Sequence, residues 1–416
     1  MTRPVRSIAL YGFLGSGNIG NDASLETVLS WLRAEHADVA VSCITLTPGT
    51  VEARYGVPAL PFTVPPEPGG RRLRTAAAKL AGRLSDIRRI IAAARSADAT
   101  VVPGMGVLEE TLGVRPWGFP TWLLLQSAAC RLQRRPFVLV AVGAEPVMNP
   151  VTRWMFTATV RLATHVSYRD GFSAQSMRDA GAPPPYVVSA DLAFAHPASR
   201  HADPEPGRIV VGVISYHGRH GDESRGASTH RAYVRSMAEV IVRLVAQGDQ
   251  VVLVGGDEVD NDAAREILAE ACRMRQGLRE DAAVIRNVTT FAELSSEMAR
   301  AEAVVASRFH NLISALRLAR PTISLGYAEK NAELMRSVGL DDYCQHIDDL
   351  DADQLMSQLR AVRSHHLALT KRVSDTCDDY ADEVRGLFSS LAADVFGWPR
   401  VQPAAAGRRS EDGPGR

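Results

Sequence analysis

Short apolar runs alternate along the chain with longer stretches whose apolar residues recur every three or four positions. Ser7 to Gly12, Val39 to Leu46, Ala99 to Val102, Pro136 to Val142, His165 to Tyr168 and Tyr186 to Ser189 read as strands. Between them lie helical patterns. Leu25, Val28, Leu29 and Leu32 share one face, and the spans Arg72–Arg95, Trp117–Leu132, Pro150–Ala163 and Phe172–Ala180 follow. The Pro- and Gly-rich span from Pro58 to Gly70 reads as a surface loop.

A polar, proline-bearing stretch, His196 to Gly207, interrupts the alternation, which then restarts. Strands are expected at Ile209–Ile214, Val251–Val254, Ala283–Ile285, Ala303–Ala306, Pro321–Leu325 and Tyr343–Ile347. Helices are expected at Tyr233–Gln247, Ala263–Arg273, Phe291–Arg300 and Leu312–Leu318, with Tyr327 to Lys330 as a strand's exit loop. Strands separated by helices throughout predict α/β domains around mostly parallel sheets. The expected organisation is a first domain over residues 1–196, a linker over 197–207 and a second domain over 208–349. Helices over 350–396 could fold back across the interface, and 397–416 has the composition of a disordered tail.

Composition narrows the partners. Lys plus Arg equals Asp plus Glu at 47 each, a balance that gives no support for a nucleic-acid partner. The segment Arg71–Arg95 is locally basic, and reads either as a solvated helix face or as a surface leaning on a membrane or an anionic glycan. Five scattered cysteines without a CxxC argue against a zinc cluster or a disulfide framework and suit a reducing cytoplasm. The chain shows no signal peptide and no apolar stretch near the ~18 residues of a membrane span, so a cytoplasmic location is expected.

The turns carry the candidate chemistry. Ser307-Arg308-Phe309-His310-Asn311 follows a strand and opens a helix. With Ser307 as N-cap, Arg308 and His310 fall in the first turn, where free N–H groups and the helix dipole favour an anion. A solvated arginine and a structural histidine are the alternative. Gly15-x-Gly17-x-x-Gly20 matches a dinucleotide fingerprint, but the next strand ends Thr45-Leu46-Thr47, without the acid that would hold a ribose. That leaves backbone N–H contacts to a substrate, with Asn18, Asn21 and Asp22 offering hydrogen bonds to sugar hydroxyls, or simply close helix–sheet packing. Gly104-Met105-Gly106 is either a ligand approach or a tight turn. Arg169-Asp170 at a strand's carboxyl end is either an anion clamp or a surface pair. The His- and Arg-rich loop from Ser215 to Arg231 could be a lid or a surface loop, and its spacing fits no common metal site.

Seven motifs then fall in one order: Tyr11 to Ala23, Val102 to Val107, Val142 to Pro146, Val166 to Asp170 with Ser173, Ala190 to Phe194, Ser307 to His310, and Gly326 to Lys330. This series, over about residues 7–345, resembles the polysaccharide pyruvyl transferase family. The resemblance implies a fold similar to the GT-B glycosyltransferases, two Rossmann-like domains with parallel sheets facing across a cleft. It implies phosphoenolpyruvate as donor, a sugar or lipid-linked glycan as acceptor, a pyruvate ketal as product, and no further cofactor. On this resemblance Arg169, His310 and Lys330 match the active-site positions. Arg308, Ser307 and Asn311 would sit with the donor, and Gly17, Asn18, Asn21, Asp22, Gly104 and Gly106 with the acceptor. The chain departs from the common pattern at Gly20-Asn21-Asp22-Ala23 and at Gly104-Met105-Gly106, both on the acceptor side. Two other activities fit the same scaffold: glycosyl transfer from a nucleotide sugar, and glycan binding without catalysis.

Overall fold

The computed structural model describes residues 4–62, 76–109, 118–198, 202–218, 226–278 and 282–399. Residues 72–75 of the helix expected over Arg72–Arg95, the middle of the His- and Arg-rich loop and the expected tail beyond residue 399 lie outside the described residues.

The first sheet is parallel and has seven strands: β1 (Ser7–Tyr11), β2 (Ala40–Thr45), β3 (Ala59–Pro61), β4 (Ala99–Pro103), β5 (Phe137–Val142), β6 (His165–Tyr168) and β7 (Val187–Val188). Their order is β3-β2-β1-β4-β5-β6-β7. Helices α1 (Ile19–Glu35), α2 (Pro48–Tyr55), α3 (Ala76–Arg95), α4 (Phe119–Leu132), α5 (Pro150–Leu162) and α6 (Gly171–Asp179) connect them. The second sheet, also parallel, is β8 (Arg208–Gly212), β9 (Gln250–Val254), β10 (Ala283–Arg286), β11 (Ala303–Ala306), β12 (Thr322–Gly326) and β13 (Cys344–His346), ordered β10-β9-β8-β11-β12-β13. Its helices are α7 (Gly226–Ala246), α8 (Asp260–Met274), α9 (Phe291–Ala299), α10 (Phe309–Arg317) and α11 (Glu329–Ser337).

Strands β4, β5, β8 and β11 are buried along their whole length, because helices cover both faces of a doubly wound sheet. That is why they read as unbroken apolar runs. In each sheet the strand order reverses once, between β1 and β4 and between β8 and β11. Loops leaving the strands at such a point diverge and open a crevice. The two crevices face each other.

The chain then recrosses. After α12 (Ala352–Ser364), α13 (His366–Ser390) passes under α10, where Thr370 Oγ1 donates to Ala319 O, and reaches the first domain. There Phe388 stacks on Trp31 with centroids 4.6 Å apart. The Val5 N–H donates to Phe396 O and Trp398 Nε1 to Val5 O, at 2.9 and 2.7 Å. One apolar cluster therefore runs from the first sheet through α9 and α10 into α13, while a second lies between the second sheet, α7, α8 and α12.

Three local expectations need correction. Strand β3 lies inside the span expected to be only loop; its Pro61 is tolerated because β3 is the sheet's edge. Helix α2 was not anticipated, although Pro48 at its first turn and Gly56 in a left-handed C-cap mark it. Finally, Lys330 lies in the first turn of α11, where an exit loop was expected. No helix among the described residues is long and apolar enough to cross a membrane.

Candidate active site

The site is built where β11 gives way to α10. Ser307 directly follows the strand, and its N–H donates to Gly212 O at 3.0 Å, the last hydrogen bond joining β11 to β8. The N-cap position thus falls on Arg308, one residue later than expected, and no side chain caps the helix. Ser307 is fully buried and does not line the cleft. Arg308 Nε and Nη2 donate to the two oxygens of Asp260, at 2.9 and 2.7 Å. Asn311 is fully buried, wedged between Gly212 and Gly256, where a Cβ would meet its amide at 2.5 and 2.9 Å. Neither its amide nitrogen nor its amide oxygen has a hydrogen-bond partner among the described residues. A buried amide without partners costs free energy, and such groups commonly serve a ligand or a water.

His310 is approached from the other domain. Asn18 caps α1, its Oδ1 accepting from the N–H groups of Gly20 and Asn21 at 3.1 and 3.2 Å. Its Nδ2 donates to Asp257 at 3.2 Å, and the Ile19 N–H donates to Gly256 O at 3.1 Å. The N-terminus of α1 is thereby docked on the turn after β9. Gly20 then lies against the imidazole so closely that a Cβ would stand 1.9 Å from His310 Nδ1.

The loop that delivers α1 is held from within. Gly15 and Gly17 take φ of +70° and +87°, a region costly for other residues. Thr45 Oγ1 and Thr47 Oγ1 both donate to Leu14 O, at 2.7 and 2.8 Å. The position where a dinucleotide fold keeps its acid thus ties the loop down. Asp22 belongs to the same bracing and does not face the cleft. It is fully buried, accepts from the Gly15 N–H at 2.7 Å and pairs with Arg54 at 3.3 Å. Burial pushes its pKa up to about 6, against the Gly15 hydrogen bond and Arg54.

Arg169 leaves β6 into the same cleft. Its guanidinium lies over Gly143, where a Cβ would come within 2.5 Å of Cζ, and over the Phe309 ring at 4.9 Å. Asp170, Asp191 and Glu109 stand 3.5, 3.5 and 3.7 Å from it. Asp191 also lies 3.6 Å from His310 Nε2. Burial would raise the Asp191 pKa, but His310, Arg169 and the Ala193 N–H outweigh it and hold the carboxyl below its usual range. Lys330 Nζ donates to Glu145 Oε1 at 3.0 Å and lies 3.7 Å from Glu109. Burial works against the ammonium, yet Glu109 and Tyr327 leave its pKa raised. Burial pushes the Glu109 carboxyl up as well, and Glu145 adds to this while Lys330 and Arg169 oppose it.

These groups enclose a chamber of about 220 Å³ between the domains. Eight of the twelve residues singled out from the sequence line it: Asn18, Asn21, Gly106, Arg169, Arg308, His310, Asn311 and Lys330. Gly17, Asp22, Gly104 and Ser307 do not. Gly104 instead makes room for Ser24, whose Oγ a Cβ would meet at 2.2 Å. Sequence reasoning gave no role to Glu109, Glu145, Asp191, Tyr327 or the turn Gly255-Gly256-Asp257. A glycine pair and an acid directly after an apolar strand was a readable signal for that turn. Glu145 and Asp191 fall inside two of the seven ordered motifs, but neither they nor Glu109 showed which cation they meet, because their partners are distant in sequence or on another strand.

The matched family model is that of polysaccharide pyruvyl transferase, over residues 18–329. The chain belongs to this family. Among solved structures, a UDP-N-acetylglucosamine 2-epimerase shares 12% identity at a TM-score of 0.61, covering 97% of this chain and 99% of its own. The UDP-GlcNAc 2-epimerase of Neisseria meningitidis, bound to UDP-GlcNAc, shares 8% identity at a TM-score of 0.58, with coverage of 92% and 99%. A glycosyltransferase from Rickettsia africae gives 11%, 0.53, 92% and 94%. At such identities the likeness shows the fold alone, and that fold is GT-B. The chain is thus a GT-B member of a family of transferases.

Proposed function

We propose that the chamber takes phosphoenolpyruvate and transfers its three-carbon unit to two hydroxyls of one sugar in a polysaccharide or its precursor, forming a pyruvate ketal and releasing phosphate. The observation that carries this reading is the meeting of Arg169, Arg308 and Lys330 from both domains around His310, beside an uncapped helix N-terminus and the unpartnered Asn311 amide. A small ligand bearing a phosphate and a carboxylate suits that set. Without ligand, internal carboxylates compensate all three cations, so the charges are preplaced and the donor's oxygens compete for them.

The proton balance is closed. One sugar hydroxyl adds to C2 while C3 gains a proton and becomes a methyl group. Phosphate then leaves with the C2–O electron pair, and the second hydroxyl adds to the resulting oxocarbenium ion. Of the two hydroxyl protons, one ends on C3 and the other on phosphate. His310 would carry protons between hydroxyl and C3, with Asp191, 3.6 Å from its Nε2, orienting the ring and balancing its charge. Lys330 and Arg308 would hold the donor's anionic groups, and Arg169 would stabilise charge on the departing phosphate.

Calorimetry with phosphoenolpyruvate and with UDP-N-acetylglucosamine tests the donor. Binding of the nucleotide sugar without binding of phosphoenolpyruvate would replace this reading with glycosyl transfer. In His310→Ala, donor binding should persist while phosphate release falls by about 10²–10⁴-fold.

A further inference from the structure

A second and larger cavity, of about 760 Å³, adjoins the chamber. It lies between the loop after β5 and the exits of β12 and β13, so both domains line it. Its size falls within the range of about 300–1,000 Å³ usual for organic ligands, whereas the chamber falls below it. Tyr327 lines both spaces. The rest of the partition is the Lys330–Glu145 pair, Lys330 facing the chamber and Glu145 facing the cavity.

The walls of the cavity differ in character. Phe172 from the first domain and Tyr327 from the second supply aromatic surface, and Ala332 on α11 also lines the space. Ser324 also lines it, 1% exposed, and its Oγ has no hydrogen-bond partner among the described residues. A buried hydroxyl left unpaired beside a cavity calls for a ligand or a water. Glu145 uses one oxygen for Lys330, and the other accepts no hydrogen bond among the described residues. Apolar walls with a few polar groups suit a pyranose ring, which has apolar C–H faces and a polar rim.

We propose that this cavity is the acceptor subsite. It seats the sugar ring that receives the pyruvyl group, with a ring hydroxyl donating to Glu145 and Ser324 bonding another; the donor's oxygens take Lys330 from Glu145, and the two reacting hydroxyls reach the chamber through the partition so opened. The inference rests on the transferase reading above and changes one part of the expectation drawn from the sequence. The acceptor lies on the Glu145 and Tyr327 side of Lys330, not along the Gly12–Asp22 loop.

Acceptor and donor binding are measured in separate arms. Saturation-transfer NMR is run without phosphoenolpyruvate on the full chain, using methyl glycosides of glucose, galactose, mannose and their 2-acetamido derivatives as probes. At least one should bind the wild type. Its signal should vanish in Ala332→Trp, which fills the cavity, and weaken about 3- to 10-fold in Ser324→Ala, the effect of one lost hydrogen bond. A separate calorimetric arm should find phosphoenolpyruvate affinity unchanged in both variants. Failure of phosphoenolpyruvate to bind the wild type defeats the donor reading while the glycoside arm still decides the cavity. Thermal melts report folding, and if Ala332→Trp does not fold, Ser324→Ala decides. The proposal is overturned if no glycoside binds the wild type, if binding is unaltered in the folded cavity variants, or if Asn21→Ala abolishes it while Ala332→Trp does not.

Discussion

Replacing Gly20 by alanine adds one methyl group at the tightest point of the domain interface. An ideal Cβ there would stand 1.9, 2.2 and 2.3 Å from Nδ1, Cε1 and Cγ of His310. Carbon contacts settle at about 3.5–4.0 Å, so ring and helix must separate by roughly 1.5 Å. The helix end is pinned by Asn18 and by the Ile19 to Gly256 hydrogen bond, which leaves the imidazole to move. Overpacking of this kind costs about 1–3 kcal/mol. Alanine's better helix propensity offsets up to ~1 kcal/mol of that. The net loss is therefore small, and the melting temperature should fall by no more than a few degrees. Turnover should fall far more, because a ~1 Å misplacement of a reacting group can cost about 10²-fold. Phosphate release from phosphoenolpyruvate with acceptor measures the rate, and NMR of the His310 ring reports its displacement. Gly17→Ala is the contrast. Its Cβ would meet nothing within 4 Å, but φ is +87°, so it should lose about 1–2 kcal/mol of stability with the His310 signal unmoved. Near-normal turnover and an unmoved ring in Gly20→Ala would refute both the placement of His310 and the role drawn from it.

Other consequences follow from the same geometry. Glu109, raised above its ordinary 4.5 by burial, competes with the donor for Lys330 only when ionised; donor affinity should therefore fall as pH rises through that raised value, and calorimetry on Glu109→Gln should show a flatter profile. Gly143→Ala drives a methyl group into the Arg169 guanidinium, and should weaken phosphoenolpyruvate binding at least tenfold; unchanged affinity would remove Arg169 from the donor site. Asp22, with a folded pKa of about 6 against 3.8, favours folding only while protonated. Its contribution is complete below pH 3.8 and is lost as pH rises through about 6, a change on the order of 3 kcal/mol. Denaturant melts of Asp22→Asn should lack that slope between pH 4 and 6.

Much of the architecture was legible because the central strands are buried on both faces and most helices on one. Burial of that kind writes an unbroken run or a 3.6-residue period directly into the sequence. Val304 and Val305 in β11, and Leu312 and Leu316 in α10, are examples. Elements with little apolar content escaped. Strand β3 has one half-buried position and two exposed ones, and α2 buries only Val51. Their signals were turn chemistry, in Pro48 and Gly56, and not hydrophobic period.

At the site the division is similar. His310, Arg308, Asn311 and Arg169 could be singled out because they are polar residues at the carboxyl ends of apolar strands, and the order of motifs placed Lys330 with them. Ser307 and Asp22 had the same credentials, yet Ser307 completes a strand pair and Asp22 braces its own loop. Sequence spacing states which turn a side chain is on, not which way the turn faces. Asp191 and Glu109 approach Arg169 only once the first sheet brings their strand exits side by side, and Glu109 and Glu145 approach Lys330 only after two sheets face each other and α13 ties them together. The sequence alone thus determined the two α/β units, the strand exits that carry chemistry and the family. The tertiary structure decided which exits converge, which carboxylates neutralise the cations and where a cavity remains. The physical reason is range: strand and helix periods are set by neighbours a few residues apart, while charge pairing and cavity shape depend on groups that only packing brings together.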